Sequence, residues 1–170
     1  VEIIRLLEEE GLRQETKMLG ARELPIKLPD GVKDAIKRRL ARLSAEANQT
    51  LTVAAFLGNR FGLRQLSVIE SGVSEDALLQ LLDEAVETRI VEEILSEPGF
   101  YQFSHATTQE TLNTELSAVP KARLHARIAE SLESFYGDDT DAHAAELANH
   151  FAGAELVLGA ARAVQYSITA

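Results

Sequence analysis

The stretch RIVEEILSEPGFYQFSH, residues 89–105, changes its hydrophobic period partway along, and few small folds accommodate that change. Ile90 and Val91 open an apolar strand, Pro98 and Gly99 supply a turn, and Tyr101 and Phe103 alternate on the return. The residues from 45 up to it have helical spacing. Residues 45–57 place Ala47, Leu51, Ala54 and Ala55 on one side before GNRFG ends the helix, and a short helix is expected over 63–70. A third, over 75–88, turns Leu78, Leu81, Leu82 and Ala85 inward. Ser44, Ser74 and Ser104 each stand where a hydroxyl would cap a helix. Three helices followed by a hairpin predict a winged helix, with Ile90, Val91, Phe103, Leu78 and Leu82 in its core.

Both flanks also read as helical. VEIIRLLEEEG is a helix stopped by Gly11, and it begins so abruptly that the sequence reads as a piece of a longer chain. GLRQETKMLGARELPIKLPDG holds glycines and two prolines, which predict a turn or small hairpin and then a linker. Pro29 and Asp30 introduce a basic helix with Val32, Ile36, Leu40 and Leu43 in one stripe. After His105 three amphipathic stripes follow: Leu124, Ile128, Leu132 and Phe135; then Leu147, Ala148 and Phe151; then Ala160, Ala161, Val164 and Ile168. The small residues of DAHAAELANHFAGA allow close helix contact, as in paired-helix repeats. The predicted fold class is mainly α with a small β-hairpin.

Charge and composition narrow the chemistry. The formal charge is −10, and it is uneven: residues 1–43 carry ten Lys/Arg against eight Asp/Glu, the rest seven against nineteen. A duplex would be repelled by most of this chain, since phosphate binding needs concentrated positive charge. The third helix, which reads bases in many winged helices, offers Glu75, Asp76, Asp83, Glu84 and Glu87 with only Arg89 at its end, so no direct nucleic-acid contact is expected. No apolar run approaches a membrane span, and the expected compartment is the cytosol. Without cysteine there is no disulfide and no thiolate nucleophile. His143, Glu146 and His150 share one helical face but lack a convergent fourth ligand, so packing is assigned to them and no metal is expected. His125, among Arg, Lys and Glu positions, is read as structural or solvated. No serine has a base and an orienting acid arranged by local sequence, so no catalytic residue is assigned.

The succession VKDAIKRRLARLSAEANQTLTVAAFLG, VSEDALLQLLDEAVETRIVEEI, YQFSHATTQETL, KARLHARIAESLESFYG and DAHAAELANHF resembles the segment that follows the nucleotide-binding core in bacterial STAND-type signal-transduction ATPases, including large LuxR-type regulators and the AAA ATPase modules attached to adenylate cyclases. The resemblance implies that residues 1–43 are the end of a helical lid domain, 44–104 the winged helix, and 105–170 a helical linker and the start of TPR-like repeats. It implies ATP or ADP with Mg in the intact protein, an upstream nucleotide-binding domain and downstream helical repeats as partners, and self-association in the active state. The sequence itself holds no GxxxxGK[ST] and no strand ending in acidic metal-binding residues, so these residues alone are expected not to hydrolyse ATP. A protein-interaction scaffold of acidic helices, independent of nucleotide, is the alternative.

The resemblance gives His105 a specific role. In this family and in the related apoptotic and plant-resistance ATPases, a histidine at the end of the winged helix reaches the bound ADP phosphates and favours the inactive state. FSHATTQET matches that position through His105, with Ala106 where eukaryotic versions commonly carry an acid. With Ser104 as the cap, His105 becomes the first helical residue, beside unpaired amides at the positive end of a helix dipole. Two readings stay open at this point: a phosphate reader, or an internal hydrogen bond tying the hairpin to its helix.

Overall fold

A computed structural model describes residues 30–170, with side chains from Asp34 onward. The expected helix over residues 1–11 and the turn and linker after it lie outside the described residues, as does the side chain of Val32 in the basic stripe. Helix α1, Asp30–Leu40, buries Ile36 and Leu40, and Leu43 follows them into the core while Lys37, Arg38 and Arg39 stay exposed. Asn48 holds this corner by donating from Nδ2 to the carbonyls of Leu40 at 2.9 Å and Ser44 at 3.1 Å. Helix α2, Ala45–Leu57, starts at the predicted cap: Ser44 Oγ accepts from the Ala47 amide at 3.1 Å. The same hydroxyl donates to Glu84 Oε2 at 2.8 Å, fastening this helix start to the last turn of the helix over Glu75–Glu87.

Asn59 and the glycines around it end α2, and the chain then forms a strand that local pattern does not announce. Strand β1, Arg60–Gly62, pairs antiparallel with β3, Phe100–Phe103, placing Phe61 opposite Tyr101. Helices α3, Leu63–Ile69, and α4, Glu75–Glu87, come next, followed by β2, Val91–Glu93. The sheet order is β1-β3-β2, so the expected hairpin of β2 and β3 is present but is completed by a third strand. Three residues are too few to show period-two alternation, and their partner lies about 40 residues away, which is why only the hairpin is legible locally. Ile90, Val91, Phe103, Leu78 and Leu82 are all buried, as predicted. Ser74 caps α4 by accepting from Ala77 at 3.2 Å. At the other end Arg89 takes φ of 56°, which lets the Ile90 amide close onto Ala85 O at 3.0 Å and turns the chain into β2.

The rest is helical. Helix α5, Ala106–Glu115, lies on α2, where Gln109 Nε2 donates to Ala55 O at 2.7 Å. Helix α6, Ala118–Tyr136, buries Ile128, Ala129 and Leu132, and packs against α3. A 3-10 turn, Gly137–His143, reverses the chain into α7, Ala144–Gly153, and after the short α8, Glu155–Leu158, α9 spans Ala161–Thr169 and returns against α7. Two stripe expectations need correction. Phe135 is exposed, although the neighbouring Tyr136 still packs against the core, and Val164 and Ile168 also face outward. Helix α9 instead buries Tyr166, whose ring stacks on Phe151 at 5.5 Å while its hydroxyl donates to Glu133 Oε1 at 2.7 Å. The architecture is mainly helical with one small three-stranded antiparallel sheet. No helix among the described residues is long and apolar enough to cross a membrane.

Candidate functional site

The sheet hands over to the helical region at residues 103–108, where three backbone amides fix the path of the chain. Phe103 N–H donates to Asn59 O at 2.9 Å and Ser104 N–H to Ile90 O at 3.0 Å, so β3 is held until its last residue. His105 then takes extended backbone angles and is itself the N-cap of α5, with its carbonyl accepting from Thr108 N–H at 2.9 Å. The expected assignment is thus shifted by one residue. Ser104 does not cap: it is still bonded into the sheet, and its Oγ is buried without a hydrogen-bond partner. His105 is not the first helical residue, since its own backbone makes the turn. Its side chain is exposed and makes no capping bond, and it forms no hydrogen bond with any described residue. The internal tie between hairpin and helix is therefore not the role of this ring. Behind it, Thr108, Thr111 and Leu112 bury the opposite face of α5, leaving His105 on a fixed base at the positive end of the helix.

A second cluster lies between α6 and α7, where sequence spacing pointed elsewhere. His143 and Glu146 do approach, with Nδ1 3.8 Å from Oε2, but His150 turns away from them. It is almost fully buried and meets His125, Nδ1 to Nδ1 at 3.2 Å. In such a contact one ring donates and the other accepts, so the neutral pair holds opposite tautomers. Phe56 of α2 presents its edge to His125 at 5.0 Å between ring centres. A Cβ at Gly153 would stand 2.5 Å from His125 Cγ, so only glycine leaves room for this ring. Burial lowers the His150 pKa to about 4, with the neighbouring His125 adding to the effect, and burial followed by Lys121 lowers that of His125.

Glu146 serves a different network. Tyr136 Oη donates to Glu146 Oε2 at 2.7 Å and accepts from Gln65 Nε2 at 2.7 Å, while His143 stacks on the Tyr136 ring at 3.7 Å. Gln65 Oε1 in turn accepts from the Gly62 amide at 3.2 Å, so the chain of bonds runs from β1 to α7. Burial, then the bond to Glu146, pushes the Tyr136 phenol well above its ordinary pKa, which keeps it a donor at all ordinary pH. Among the described residues no group of three or more His, Asp or Glu side chains is arranged to hold a metal ion.

The His125–His150 pair is what sequence reasoning missed. His125 was read from the charged residues beside it, yet it faces inward, and His150 was read as sharing a helical face with His143 and Glu146, although His143 lies in the 3-10 turn before α7 and not on the helix. The usable signal was Gly153, three residues after His150, in a helix that otherwise favours alanine. Compared with known proteins, the chain matches no family model, no curated protein and no solved structure.

Proposed function

We propose that this chain is a regulatory and coupling segment of a nucleotide-dependent signalling ATPase, in which residues 44–104 act as a winged helix that passes nucleotide state to the helices after it. The observation that carries this reading is His105: an exposed imidazole with no hydrogen bond among the described residues, at the junction where the sheet ends and α5 begins. The order of helix, strand, two helices and hairpin, with the first strand paired to the last, supports the winged-helix identity. The return of α6, α7 and α9 against one another supports a TPR-like beginning for the helical region. Rigid attachment matters for coupling, and it is supplied by Gln109 on Ala55 O, by α3 on α6, and by the bonds from Gly62 through Gln65 and Tyr136 to Glu146.

The phosphate cradle, the lysine and the magnesium ligands belong in this reading to a nucleotide-binding domain upstream. His105 contributes one contact to ADP that the ATP-bound arrangement lacks, and only such a differential contact shifts the population between two states. The exposed face of α4 carries Glu75, Asp76, Asp83 and Glu87, so this helix repels a duplex and is a protein-facing surface.

The test uses the intact ATPase. His105→Ala is expected to speed ADP release by about ten- to a hundredfold, the effect of losing a charge-assisted contact of about 1.5 to 3 kcal/mol, and to raise basal output. Thermal melting of the 170-residue chain should change little, because the ring is exposed and bonds to none of the described residues. Unchanged ADP release in a folded, nucleotide-competent protein defeats the reading. Fragment instability matching the loss in the intact protein would return His105 to a packing role.

A further inference from the structure

We propose that the His125–His150 pair is an acid-sensitive latch that holds helices α7 to α9 against α6 when both rings are neutral and loosens them as the buried pair takes up positive charge. The proposal stands apart from the nucleotide reading and uses none of its residues. At 3.2 Å the two Nδ1 atoms share one proton, and that bond exists only while one ring has a lone pair to offer. A first extra proton can go to Nε2 of the donor ring and leave the Nδ1 contact intact, but it puts an uncompensated positive charge between buried helices, and a second turns the contact into two donors facing each other. Relief by local movement is blocked on both sides. Phe56 stands at the edge of His125, and Gly153 brings the α7 backbone against the face of the same ring.

The surroundings offer a positive charge no compensation. From α6 the group facing the pair is Lys121, which opposes protonation and whose Nζ lies over the Phe56 ring at 5.6 Å. From α7 the one carboxylate, Glu146, is held by Tyr136 Oη. Helix α2 contributes Phe56, with its only titratable group, Glu46, exposed near the far end. Helix α8 has only Glu155, which is exposed, and from α9 Arg162 and Tyr166 are both engaged with Glu133. Among the described residues no carboxylate bonds to either ring. The native pKa values are depressed, so the unfolded or opened state binds more protons. The pair's contribution is therefore complete above the ordinary histidine pKa, is lost progressively as pH falls below it, and levels off near pH 4, where His150 protonates in place.

The experiment is amide hydrogen exchange on the whole chain at about pH 7.5 and about pH 5, corrected for the intrinsic rate, in wild type and in His150→Gln, which cannot titrate. In wild type the opening equilibrium of α7 to α9 should rise at least about tenfold on acidification, while α4 and β3 change by less than about threefold. In His150→Gln the excess response of α7 to α9 should fall well below the wild-type rise, to what His125 alone contributes. Equal responses of the two regions in wild type, or the same tenfold rise in the variant, overturn the latch. Should the variant fail to fold, ring nitrogen shifts in wild type decide the matter. Opposite neutral tautomers and a His150 titrating far below the ordinary range are expected, and a His150 titrating near 6.5 overturns it.

Discussion

Phe61→Ala should cost about 3 to 5 kcal/mol of unfolding free energy, the range for removing a buried aromatic, even though it changes a strand of three residues. Phe61 is 1% exposed and lies between the rings of Tyr101 at 6.0 Å and Phe103 at 5.6 Å, so the substitution removes both aromatic contacts along with the side chain's own burial. The cavity would open beneath the sheet, where the backbone is fixed by pairing of Phe61 with Tyr101 and so can collapse little. Within the sheet, β1 and β2 each pair only with β3, so neither strand has a second strand to hold it. Chemical denaturation of wild type and variant measures the loss. Phe100→Ala serves as the control: that ring is 37% exposed under the Arg60 guanidinium, and its removal should cost about 1 kcal/mol or less. A loss below about 1.5 kcal/mol at Phe61 would mean that β1 is not a working part of the sheet.

That strand marks the boundary of what the sequence reveals. The helices over 45–57, 63–70 and 75–88 were legible because each has an inward stripe and two have serine caps, and the structure places them at Ala45–Leu57, Leu63–Ile69 and Glu75–Glu87. The hairpin was legible because Pro98-Gly99 interrupts two short apolar runs. Strand β1 was not, since its existence depends on a partner far away in sequence. The same holds for Ser104, whose hydroxyl looks like a cap until Ser104 N–H is found bonded to Ile90 O. At the C-terminal side the stripe through Val164 and Ile168 competes with one through Ala163 and Tyr166, and the second wins because Tyr166 can stack on Phe151 and still place its hydroxyl on Glu133. His105 was legible by position, while the His125–His150 pair needed the relative rotation of two helices, which no single-helix periodicity contains.

Gly153 is where that helix pairing is most exposed to test. Gly153→Val should destabilise the chain by about 2 to 3 kcal/mol, in the upper part of the range for overpacking, although replacing a helical glycine ordinarily gives back up to about 1 kcal/mol. The sign is decided by geometry: the new Cβ would lie 2.5 Å from Cγ, 2.6 Å from Cδ2 and 2.7 Å from Nδ1 of His125, so the ring must leave its seat or α7 must move. Either response breaks the Nδ1 contact with His150, which is buried and then has no other described partner for that nitrogen. A double-mutant cycle separates this clash from a general intolerance of side chains at the end of α7. With His125→Ala in the background the obstacle is gone, and Gly153→Val should become nearly neutral, giving a coupling of about 2 kcal/mol between the two sites. If the valine costs the same in both backgrounds, the close approach of Gly153 to His125 is not what fixes α7 on α6. Because the opposed ring is one half of the histidine pair, the single variant should also lose the extra acid sensitivity of α7 to α9, linking the packing of one glycine to the protonation of a ring on the neighbouring helix.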